Sequence, residues 1–91
     1  MKKTSELAGT SFQGVIEATL TQMVSIFGKP TIMTDGKTVY QWGLDFDGII
    51  VSIYDYKREG KLGKDEEYQW HIGGFDNAAV EVVEHAFYSV R

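Results

Sequence analysis

The stretch Val39-Tyr40-Gln41-Trp42-Gly43-Leu44-Asp45-Phe46-Asp47-Gly48-Ile49-Ile50-Val51-Ser52-Ile53-Tyr54 decides the fold. Tyr40, Trp42, Leu44 and Phe46 alternate with Gln41, Gly43 and Asp45, the period of a strand with one apolar face. Asp47-Gly48 is a favoured hairpin dipeptide, so the chain turns there and returns as a second strand. That strand, read from Ile49 to Lys57, sets Ile49, Val51 and Ile53 on one face and Ile50, Ser52, Tyr54 and Tyr56 on the other. Bulk on both faces marks it as central to a sheet and covered on both sides. Upstream, Asp35-Gly36-Lys37 reads as another turn.

Downstream, Arg58 to Glu67 is charged, contains Gly60 and Gly63, and reads as an exposed loop. Tyr68, Trp70 and Ile72 then alternate with Gln69 and His71, giving a third strand that Gly73-Gly74 is expected to break. Asp76 or Asn77 caps a last helix whose apolar face is Ala79, Val80, Val83, Ala86, Phe87 and Val90.

Toward the N-terminus, Phe12 to Ala18 reads as a strand because Gly14 weakens a helix interior. Thr19-Leu20-Thr21-Gln22 has the form of a capping box and opens a helix. Leu20, Met23, Val24 and Phe27 line its buried face, Gly28 caps its end and Pro30 stops it. Met1 to Gly9 lacks periodicity and reads as a loose arm. The order β-α-β-β-β-α predicts an α+β domain spanning residues 1–91, an antiparallel sheet with both helices packed on one face.

Composition narrows the function. The 91 residues carry 9 Lys plus Arg and 13 Asp plus Glu, a net charge of −4. That balance argues against direct nucleic-acid binding, which needs a cationic face. No cysteine is present, which removes disulfide frameworks, thiolate zinc sites and a thiol nucleophile. Lys2-Lys3 is not followed by the apolar run of a signal peptide, and no segment approaches the ~20 apolar residues of a membrane span. The expectation is a soluble cytoplasmic protein. Aromatic and aliphatic residues on both faces of the central strands point to a homo-oligomer.

Four segments carry a resemblance: Gly9-Thr10-Ser11-Phe12-Gln13-Gly14, Phe27-Gly28-Lys29-Pro30, Tyr54-Asp55-Tyr56-Lys57 and Trp70-His71-Ile72-Gly73-Gly74. In this order they resemble a family of small phage and prophage proteins, matching from about Gly9 to Phe87. The last two motifs are specific in combination, and Phe-Gly-x-Pro alone is weak. The resemblance brings no catalytic assignment. It implies action on a bacterial host, commonly by disabling a defence system, either by holding a host protein or by sequestering a nucleotide immune signal.

The candidate ligand-binding residues are Tyr54, Asp55 and Lys57 on one strand end and Trp70, His71, Gly73 and Gly74 on the neighbouring one. His71 is positioned to bond Asp55 across the ladder, which suits either a held imidazole or an ordinary cross-strand polar pair. The Gly73-Gly74 backbone offers N–H groups to an anion at a helix start, with Lys57 and Arg58 as counter-charge and Trp70 or Tyr54 as a stacking platform. The plainer reading is a flexible strand-to-helix corner.

His71, His85, Asp45, Asp47 and Asp55 lack the spacing of a metal motif, and no cofactor is expected. Ser52 and Ser89 sit in no nucleophile motif. Glu59, Asp65, Glu66, Glu67, Glu81 and Glu84 read as solvated carboxylates rather than a mimic of DNA. The expectation is a non-enzymatic binder that counteracts host antiviral defence, taking a small nucleotide through the seven-residue cluster. The alternative is an inhibitor of a host defence protein acting through an acidic or aromatic surface, and a His71/Asp55 hydrolase comes third.

Overall fold

A computed structural model describes residues 1–32, 40–55 and 65–89. The turn read at Asp35-Gly36-Lys37, the residues Tyr56 and Lys57, and the loop from Arg58 to Lys64 lie outside them, as does Val90. The described residues form β1 (Lys2–Lys3), β2 (Ser11–Thr19), α1 (Leu20–Phe27), β3 (Thr31–Ile32), β4 (Tyr40–Phe46), β5 (Ile49–Tyr54), β6 (Glu67–Gly74) and α2 (Ala78–Ser89). The sheet is antiparallel in the order β1-β4-β5-β6-β2, with β3 also paired to β4.

Local signals account for most boundaries. The Thr19 hydroxyl accepts the Gln22 N–H at 3.1 Å, and the Gln22 side chain accepts the Thr19 N–H at 2.9 Å. This closed capping box stops β2 and starts α1 within one residue. Gly28 ends α1 at φ 85°, donating its N–H to the Val24 carbonyl. Between β4 and β5, Asp47 and Gly48 both take positive φ, 52° and 97°, as a two-residue turn matched to strand twist requires. The Asp45 carboxylate accepts the Gly48 N–H and steadies that turn.

Both helices cover the same face of the sheet. Met23 and Phe27 of α1, with Ala79, Val83 and Phe87 of α2, join Ile16, Ala18, Trp42, Leu44, Val51, Ile53, Trp70 and Ile72 in one buried cluster. Trp42 and Trp70 meet edge to face at 5.3 Å in its centre. Each indole N–H is satisfied by a backbone carbonyl, Gly28 for Trp42 and Ala18 for Trp70. Strand β5 is central, as its two-sided bulk predicts, but the helices cover one face only.

Three expectations are corrected. The N-terminal arm is not loose: Lys2 and Lys3 pair with Asp45 and Leu44, and the Thr4 N–H bonds the Gly43 carbonyl. Gly43 permits this approach, because a Cβ there would meet the Thr4 carbonyl oxygen. Two short strands thus cover the outer edge of β4, an edge that would otherwise be open. Second, Gly73 and Gly74 do not break β6. They are its last residues, paired to Ser52 and Val51 on one side and to Phe12 and Ser11 on the other. Third, β5 runs from Ile49 to Tyr54 and Asp55 lies past its end, while the rest of the stretch expected to reach Lys57 falls outside the described residues.

Candidate functional site

The face of the sheet away from the helices carries the site. Val15 stands opposite His71, and His71 stands opposite Tyr54, so one row of side chains crosses three strands. In the next row Phe12 stands opposite Gly73, and Gly73 opposite Ser52. The His71 ring lies between two others, 4.9 Å from Phe12 and 5.5 Å from Tyr54, tilted by 58° and 64°. Such pairs each contribute about 0.5–1.5 kcal/mol beyond area burial. Phe12 remains 56% exposed and Val15 37%, so one side of this aromatic row faces solvent.

A bulge creates the cluster. The register slips between Phe12 and Gly14, leaving Gln13 as the extra residue, whose amide bonds the Gly74 carbonyl at 3.1 Å. Strict alternation would put Phe12 with Gly14 and Ile16 on the helix side. The extra residue turns Phe12 to the open face beside Val15 and His71.

The seven residues singled out in sequence separate into three groups. Tyr54 and His71 come together on the open face, with Gly73 beneath them: the Tyr54 ring lies 3.6 Å from where a Gly73 Cβ would stand. Trp70, Gly74 and Asp55 belong elsewhere. Trp70 is fully buried on the helix side, where Tyr68 and Trp42 pack against its ring, so it offers no stacking surface. Gly74 is buried under α2, where a Cβ would meet that of Ala79. Lys57 lies outside the described residues.

Asp55 is fully buried, and its Oδ1 accepts the Tyr40 N–H at 2.9 Å. Tyr40 is on β4, the opposite flank of β5 from His71, and the residue across from His71 is Tyr54. The register therefore sets Tyr54, not Asp55, across from His71, in ring contact with it, and the Asp55 carboxylate seals the end of the β4–β5 ladder. The Gly73-Gly74 backbone is engaged in ladders on both flanks, so it does not form an anion nest. At the helix start, Asp76 Oδ1 accepts the Ala78 N–H.

Sequence reasoning passed over Phe12 and Val15 as site residues. The signal that could have found them is Gly14 inside a β-rich run, since an interior glycine often marks a bulge. Among the described residues no group of three His, Asp or Glu side chains is arranged to hold a metal. None of their helices is long and apolar enough to cross a membrane. No protein-family model, curated protein or solved structure matches the chain at a significant level.

Proposed function

We propose that this protein works by binding, as a phage-type accessory protein that counteracts a host defence, and that its open sheet face docks a protein partner. The observation that carries this reading is the cluster of Phe12, His71 and Tyr54 rings with Val15, part exposed, at the edge strand β2. That strand is nine residues long and has its outer flank unpaired among the described residues. Aromatic side chains on a rigid sheet supply contact area at low entropic cost, and a free strand edge adds main-chain hydrogen bonds to a partner strand. The host-defence part rests on the resemblance to small phage proteins.

Sequestration of a nucleotide at the seven-residue cluster is less well supported, since Trp70 and both glycines are committed to packing. A hydrolytic role for His71 is less well supported, since Tyr54 rather than Asp55 stands across the ladder from it. The test is a phage-plating assay in a host carrying a defence system that the wild-type protein suppresses. Phe12→Ser and His71→Ala are expected to abolish suppression in folded protein. Full suppression by both variants would overturn the assignment to this face.

A further inference from the structure

On the opposite edge of the sheet lies a second feature, independent of the open-face reading. Strand β1 pairs with β4 at Leu44 and Asp45, and β3 pairs with it at Tyr40 and Gln41. Between them the edge of β4 opens into a cleft of about 270 Å³, with Lys3 and Lys29 on its rim. Its walls carry the polar side chains of Thr4, Ser5, Thr31 and Gln41, over a floor of Trp42, Gly43 and Leu44. Among the described residues, none that lines it is acidic.

Three lysines flank this edge, Lys2, Lys3 and Lys29. Lys2 stands opposite Asp45 in the ladder, while Lys3 and Lys29 line the cleft. The Lys3 ammonium donates to the Lys29 carbonyl at 3.2 Å, which ties the two chain segments together across the gap. An ammonium carries three N–H donors, so this bond orients the group without exhausting it.

We propose that this cleft binds the phosphoryl group of a small phosphorylated metabolite. Two lysines supply the charge, the hydroxyls and the Gln41 amide supply hydrogen bonds, and the rest of the cleft takes the organic part. The volume sits at the low end for small-molecule sites, which suits one phosphate ester of mononucleotide size and excludes an extended polyphosphate or a nucleic acid strand.

Amide NMR spectra recorded during titration with inorganic phosphate, and separately with adenosine monophosphate, test this. Both ligands are expected to shift the Thr4, Thr31 and Gly43 amides, with the monophosphate binding more tightly. Lys29→Gln should weaken binding roughly threefold and Lys3→Gln/Lys29→Gln about tenfold or more, and added salt should weaken it further. Lys2→Gln, outside the cleft, should leave affinity unchanged. Lys29 is exposed, so its variant remains informative if Lys3→Gln frays β1. Absence of shifts at about 10 mM ligand, a weak affinity that even one phosphate contact should exceed, would overturn the proposal. So would equal binding by the double variant, and a monophosphate no tighter than phosphate would overturn the ester assignment.

Discussion

Gly73→Ala distinguishes a packing role for Gly73 from a ligand-binding one. An alanine Cβ at this position meets the Ser52 Oγ, with the Ser11 carbonyl and the Tyr54 ring next at 3.5 and 3.6 Å, which are ordinary contacts. Gly73 does not need positive φ, so the substitution carries no backbone strain and should gain about 0.4–1 kcal/mol through the unfolded chain. Against this stands the overpacking of one methyl group beside a Ser52 that is 5% exposed, a cost of about 1–3 kcal/mol. The net expectation is a loss of about 1–2 kcal/mol. With a urea slope near 1 kcal/mol/M for a chain of this size, the unfolding midpoint should fall by roughly 1–2 M.

The decisive background is Ser52→Ala, which deletes the one atom in the way. Gly73→Ala should then be neutral or slightly stabilising, a coupling of about 1–2 kcal/mol in the double-mutant cycle. Urea unfolding followed by tryptophan fluorescence measures all four proteins. An identical loss in both backgrounds would refute the packing argument and return Gly73 to the list of backbone ligand groups.

Thr19→Ala removes half of the capping box and should cost about 1 kcal/mol, read as a lower urea midpoint with unchanged slope. Trp70→Phe leaves the Ala18 carbonyl without its donor and opens space beside Trp42, so a loss of about 2–4 kcal/mol is expected in thermal unfolding. Asp55→Ala strips the acceptor from the Tyr40 N–H inside the fold and should cost about 1–3 kcal/mol, with hydrogen exchange accelerated at Tyr40 before the rest of β4. Equal exchange at Tyr40 in wild type and variant would contradict that placement.

Much of the architecture was legible because its signals are local. The Thr19/Gln22 box, the Gly28 cap, the Asp47-Gly48 turn and the alternation through Trp42 and Leu44 each state their own geometry. What stayed hidden is set by register between strands. Residues 2 and 3 have no periodicity, and their pairing depends on a β4 edge and on Gly43, forty residues away. Alternation places Trp70 and His71 on opposite faces, but it does not say which face the helices cover. Nor does it show that Asp55 turns to β4 while Tyr54 meets His71. The bulge at Gln13 reverses the parity of Phe12, so the most exposed member of the aromatic row escaped a period-two reading.

The open face is tested most directly by site-specific photocrosslinking in host cells. The account predicts that a crosslinker at Phe12 captures one discrete host protein. The same probe at Tyr88, 56% exposed on α2, should capture nothing comparable, and His71→Ala should remove the Phe12 product. Capture of that same protein from Tyr88 with none from Phe12 would contradict it.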